Sequence, residues 1–232
     1  MKDIILIATI KDWNINNFYE FKKKFEDKYN LYLITNKDDL IYQNVKVLNP
    51  KYIFFPHWSW LIPNEIYENY ECILFHMTDL PYGRGGSPLQ NLILNKIYTT
   101  KISAIKVTKE LDEGDIYLKE NFDISKGSAR EIYENASNLI FSELIPKIIE
   151  NNLIPTKQAG EIVIFKRRTP EQSNIKTLND ISINNLYDFI RMLDAPSYPK
   201  AYIELDNLKI ELSEVIIKDG KLEGRFEVSK DE

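Results

Sequence analysis

Phe75-His76-Met77-Thr78-Asp79-Leu80-Pro81-Tyr82-Gly83-Arg84-Gly85-Gly86-Ser87-Pro88-Leu89-Gln90 follows directly on the apolar run Cys72-Ile73-Leu74-Phe75. The apolar run reads as a buried strand. Of the chain's 8 glycines, Gly83, Gly85 and Gly86 fall in this one short stretch, where the backbone must turn sharply or approach something closely. Ser87 then predicts a helix cap, with Pro88 at the first helical position and Gln90 completing a capping box. Strand, loop with a histidine, then helix is the resulting order. In an open α/β sheet, the loop at the carboxyl end of a strand is where ligands bind.

The flanking sequence extends the same pattern. Ile4 to Ala8 reads as a fully buried strand, Asn17 to Tyr29 as a helix, and Leu31 to Thr35 and Tyr52 to Phe55 as further strands. Lys101 to Val107 and Asp115 to Phe122 predict a β-pair around an acidic loop. Ser128 and Glu131 form a second capping box before a helix whose inner face carries Ile132, Ala136, Leu139, Ile140 and Ile145 and which ends near Asn151-Asn152. The alternation predicts an α/β fold, a Rossmann-like, mostly parallel sheet flanked by helices. The first turn, Thr9 to Asn14, has no glycine, which excludes a dinucleotide fingerprint.

Pro155 to Gly160 reads as a boundary. Beyond it come a strand (Glu161 to Lys166), a helix (Leu186 to Leu193) and three strands, Ala201 to Leu205, Leu208 to Ile217 and Lys221 to Val228. Asp206-Asn207 and Asp219-Gly220 are the turns, the second a good hairpin signal. The expected organisation is a catalytic domain over 1–158 and a small C-terminal α+β module over 159–232, too small to fold unaided and so packed on the first.

With 44% hydrophobic and 28% charged residues the chain is of soluble globular type. It holds 30 Lys and Arg against 35 Asp and Glu, a net charge of −5, which argues against a broad electrostatic grip on nucleic acid. Cys72 is the single cysteine and predicts a small buried hydrophobe in a cytoplasmic protein. No run approaches the ~20 apolar residues of a membrane span, and Met1-Lys2-Asp3 leads into a strand too short for a signal peptide. The only histidines are His57 and His76, and no Cys/His ligand spacing calls for a metal.

His76 has two readings: a structural residue capping a turn, or a general base, which requires a second group to hold its ring. Asp112, in the loop Leu111-Asp112-Glu113-Gly114-Asp115, is the candidate for that second group. Lys166-Arg167-Arg168 is the densest basic cluster, either a solvated strand end or a contact for an anionic substrate.

Taken together, His76-Met77-Thr78-Asp79-Leu80-Pro81-Tyr82-Gly83-Arg84-Gly85-Gly86-Ser87-Pro88 resembles the signature loop of the formyltetrahydrofolate-dependent formyltransferases. Leu111 to Asp115 is similar to that family's second motif, Leu-Asp-x-Gly-Asp. Phe55 to Pro63 sits where the family has its folate-side turn. Phe165 to Glu171 and Phe189 to Pro196 resemble segments of the sugar N-formyltransferase branch. The likeness runs from about Pro50 onward. It implies transfer of a formyl group from N10-formyltetrahydrofolate to a primary amine, with His76 as acid/base or oxyanion donor and Asp112 orienting its ring. It also implies that the backbone at Trp60, Leu61 and Ile62, together with Gly86, Thr108, Lys109, Glu110 and Leu111, lines the folate. The expected acceptor is a nucleotide-linked amino sugar, a 4-amino-4,6-dideoxyhexose (or a 3-amino one) of a bacterial surface or flagellar glycan, with no nucleic acid partner. Methionyl-tRNA formylation is the alternative, and the tail leaves room for a homodimer.

One position departs from the family pattern. The family's asparagine falls on Leu74, which has no hydrogen-bonding side chain. A substitute donor is expected, with Thr78, a side chain of the His57 loop, or the N–H groups of Gly85 and Gly86 nearest. Without one, a binding protein on the same scaffold is the remaining alternative.

Overall fold

The computed structural model describes residues 2–230. Met1, Asp231 and Glu232, which bound the expected domains, lie outside the described residues. In chain order the elements are β1 Ile4–Ala8, α1 Asp12–Phe25, β2 Asn30–Ile34, α2 Tyr42–Leu48, β3 Tyr52–Phe55, α3 Asn64–Tyr67, β4 Cys72–His76, β5 Tyr82–Gly85, α4 Pro88–Leu94, β6 Thr99–Lys106 and β7 Ile116–Asp123. They continue with α5 Ala129–Leu139, α6 Ile145–Asn151, β8 Val163–Phe165, α7 Ile183–Arg191, β9 Ala201–Leu205, β10 Leu208–Lys218 and β11 Lys221–Lys230.

The central sheet runs β2-β1-β3-β4-β6-β7. β1 pairs in parallel with β2 and β3, and β3 in parallel with β4, while β6 lies antiparallel to β4. The expected α/β fold with a mostly parallel sheet is therefore present. β1 reads as an unbroken apolar run because Ile5, Leu6, Ile7 and Ala8 are wholly buried, as a strand covered on both faces requires. α1 starts at Asp12, earlier than its apolar spacing from Asn17 suggested, because Trp13 and Asn14 are buried along with Phe18, Phe21 and Phe25. Between α5 and α6 the helix opens into a π turn, Ile140–Leu144, just before Pro146, whose missing N–H cannot continue the ladder.

The chain forms two compact units built from interleaved segments. The first comprises the segment ending at Arg84 with Thr100–Phe122 and Glu134–Ile164, and holds the central sheet. The second comprises Gly85–Thr99, Asp123–Tyr133 and the chain from Phe165 onward. In the second unit the expected cap at Ser87 does not form. Ser87 has φ 51 and no side-chain cap bond; its hydroxyl instead accepts from the Arg168 N–H at 3.1 Å. Gln90, expected to close the box, is buried and donates to Met192 O and Tyr133 Oη. Ser128 and Glu131 do cap reciprocally.

The C-terminal strands form a separate sheet ordered β11-β10-β9. Asp206 (φ 51), Asp219 (φ 49) and Gly220 (φ 72) take the positive φ values that tight hairpin turns need. α7 begins on Ser182, whose hydroxyl accepts from Asn185 N–H. It ends on Arg191, almost fully buried, whose guanidinium donates to Asp188, Ile124 O and Gly127 O. Among the described residues, no helix is long and apolar enough to cross a membrane.

Candidate active site

β4 carries His76 to its last position, 7% exposed. Its Nε2 lies 2.8 Å from Gly83 O. A carbonyl only accepts, so Nε2 carries a hydrogen and donates. The same oxygen accepts from the Thr78 hydroxyl at 3.3 Å. Ser103, on the neighbouring strand β6, donates to Thr78 O at 2.7 Å, which ties the first turn of the loop to the sheet. On the other side of the ring, His76 Nδ1 stands 3.5 Å from Asp112 Oδ1. That separation is at the outer limit of a direct hydrogen bond, a spacing common in catalytic pairs before substrate is bound.

Asp112 is 6% exposed and takes φ 57, a left-handed conformation that aspartate tolerates better than most residues. Gly114 must be glycine, because a Cβ there would stand 1.7 Å from Lys106 O. The loop is braced from a distance: the Gln158 amide donates to Asp112 O at 2.8 Å and Gly114 O at 2.9 Å. The Gln158 carbonyl in turn accepts twice from the Arg84 guanidinium, and Arg84 pairs with Glu113 at 3.0 Å. Ser103 had a visible signal, a hydroxyl inside the apolar run Ile102 to Ile105. Gln158 had none, since it lies in a stretch that reads as a boundary.

The other expected site residues divide by unit. Thr108, Lys109, Glu110 and Leu111 are exposed, and the Thr108 hydroxyl donates to Glu110 O. Trp60 and Leu61 are exposed, Leu61 at 90%; Ile62 packs partly buried on the core. Gly86 belongs to the second unit, where its N–H donates to Phe165 O and a Cβ would stand 2.5 Å from Arg167 Cβ. Leu74 faces Phe55 and Ile105 across the sheet.

The loop after β3 is dense in aromatics. His57 has φ 53 and its ring centroid is 5.6 Å from that of Trp13. Lys11 Nζ lies 5.6 Å from the Trp13 ring. The surrounding protein, and secondarily the Lys11 charge, push the His57 pKa down to about 3. Burial also lowers the Lys11 pKa. Asn14 fixes this region, donating to Thr9 Oγ1 at 3.0 Å and Pro56 O at 3.1 Å. Trp58 meets Phe55 and Trp60 edge to face, and its buried indole Nε1 has no hydrogen-bond partner among the described residues. Exposed apolar surface at Trp60 and Leu61 with an orphaned donor beside it fits a flat heterocycle bearing polar atoms, such as a folate. Among the described residues, no three His, Cys, Asp or Glu side chains group as metal ligands would.

Residues 170–229 match the family model described as methionyl-tRNA formyltransferase, C-terminal domain. The methionyl-tRNA formyltransferase of Campylobacter lari is 30% identical over 166 residues, 69% of this chain and 55% of that protein. The chain spans about half the length of this curated relative. A solved methionyl-tRNA formyltransferase from Clostridium thermocellum is 50% identical, with TM-score 0.95, over 98% of this chain and 99% of its own. A 4-N formyltransferase from Francisella tularensis shares the fold at TM-score 0.65 and 18% identity. These matches overturn the expected amino-sugar acceptor and the expected absence of a nucleic acid partner: the near-full-length relative carries a tRNA-acting name, and the likeness to the Francisella enzyme reaches only the fold. The net charge misled because it is a sum over the whole surface, whereas phosphate recognition depends on where a few basic groups stand.

Proposed function

This chain belongs to the formyltransferase family, and we propose that it transfers a formyl group from N10-formyltetrahydrofolate to the amino group of methionyl-tRNA. The near-full-length match at 50% identity carries this reading. In this reading the bound folate supplies an activated formyl carbon. His76 takes the amine proton at Nδ1, because Nε2 donates to Gly83 O, and passes it to the folate N10 as the bond from N10 to the formyl carbon breaks. Asp112, facing Nδ1, orients the ring and stabilises the charge it gains. The backbone of 60–62 and the exposed 108–111 loop, both in the first unit, border the folate. Lys166, Arg167 and Arg168 suit a phosphate-bearing acceptor. The functional division runs 1–158 for formyl transfer and 159–232 for the acceptor, supported by the family match at 170–229. The setting is cytoplasmic.

The test is incubation of purified protein with N10-formyltetrahydrofolate and methionyl initiator tRNA, scoring formylmethionine after deacylation. Formylation that weakens steeply with salt is the expected result. Absence of formyl transfer under conditions where the folate binds would remove the acceptor assignment.

A further inference from the structure

A formyl oxygen that gains negative charge during acyl transfer needs a donor aimed at it, and Leu74 provides none. The donors nearest in sequence are otherwise engaged. The Thr78 hydroxyl donates to Gly83 O, and the Gly86 N–H to Phe165 O. His57 is packed beside Trp13. Trp58 differs from all of them: its Nε1 is buried and without a partner among the described residues.

A buried N–H without a partner destabilises the fold, so its retention needs a reason. Position supplies it. β3 and β4 are parallel neighbours with Phe55 opposite Leu74, so the loop carrying Trp58 leaves the sheet beside the strand end that carries His76. Trp58 and Leu74 pack against the same core cluster, which includes Phe55 and also Val107, the residue leading into the 108–112 loop. The indole thus packs on the same cluster as the strand that leads to His76 and the residue that leads to the Asp112 loop. Its edge contacts with Phe55 and Trp60, with centroids at 6.0 Å and 5.1 Å, fix the ring, which is the preorganisation a catalytic donor requires.

Resting on the proposed formyl transfer, we propose that the Trp58 indole N–H replaces the missing side-chain amide at Leu74 and donates to the formyl oxygen of the bound folate. No atom is transferred in this role. The N–H remains covalently intact, and the hydrogen bond strengthens as charge builds on oxygen.

The test uses protein labelled with 15N-tryptophan, the Trp58 indole signal being assigned by its loss in Trp58→Phe, a change that removes the N–H and keeps a packed ring. A hydrolysis-stable N10-formyl folate analogue should move that signal downfield, whereas tetrahydrofolate, which lacks the formyl group, should leave it in place. Trp58→Phe should lower kcat about 100-fold while tetrahydrofolate affinity, read by fluorescence quenching, changes less than about threefold. An equal shift with both folates would overturn the proposal, as would a saturated complex with no shift or a Trp58→Phe variant with unchanged kcat. Binding of neither folate would overturn the formyl-transfer reading together with this one, whereas folate binding without the indole shift overturns this one alone.

Discussion

The two histidines end up at the same edge of one sheet, in opposite surroundings. His57 follows β3 and His76 ends β4, and the two strands are hydrogen-bonded neighbours. His57 packs against Trp13 within reach of the Lys11 charge, and its pKa falls to about 3. It is neutral at any physiological pH. His76 has a carbonyl at one nitrogen and a carboxylate 3.5 Å from the other. Residue type and place along the sheet edge are nearly shared by the two. The groups facing their ring nitrogens are not.

The contrast is broken or sharpened by a graded set of changes. His76→Ala should lower turnover by roughly 100-fold or more in steady-state formylation assays, with folding intact by circular dichroism. Activity within a few-fold of normal would place the chemistry elsewhere. Asp112→Asn, which keeps shape and removes charge, should cost roughly 30-fold, with the loss in kcat and little change in KM.

On the His57 side the expected losses are in stability. Asn14→Ala leaves Thr9 Oγ1 and Pro56 O without their donor in a buried place. It should lower unfolding free energy by about 1–3 kcal/mol, read from the urea midpoint, with kcat near normal. His57 itself sets an acid limit. Its unfolded form takes a proton near pH 6.5 and its folded form only near pH 3, so its contribution is full above about 6.5. It is lost as pH falls from there toward 3, by at most about 1 kcal/mol per pH unit after solvent screening. His57→Asn, which tolerates the positive φ, should flatten that part of the stability curve and change turnover by less than about threefold. A steeper acid loss in the variant would contradict the assignment.

These loops also mark how far the sequence could be read. The strands were legible because their apolar runs are buried on both faces, and the Asp219-Gly220 hairpin because its turn requires positive φ. His76 and Asp112 were legible as a pair through two spaced motifs rather than through any local pattern. Ser87 and Gln90 had the spacing of a capping box, yet both side chains were drawn to partners far along the chain, Arg168 and Met192, which local spacing cannot register. The role of Trp58 was hidden for a similar reason. An aromatic cluster reads as packing, and only the three-dimensional arrangement leaves one indole hydrogen without a partner. The acceptor was misread because the overall charge was taken to describe a surface.

Gln158 grips the acidic loop through main-chain oxygens at 112 and 114. A clasp of that kind does not depend on side-chain identity. Substitution at exposed Leu111 changes what the loop presents to solvent, while the amide still meets the same two carbonyls and Asp112 keeps its place beside His76. Backbone position and exposed side chain are therefore separable in this loop. The geometry of the loop thus rests on one glutamine, more than forty residues downstream.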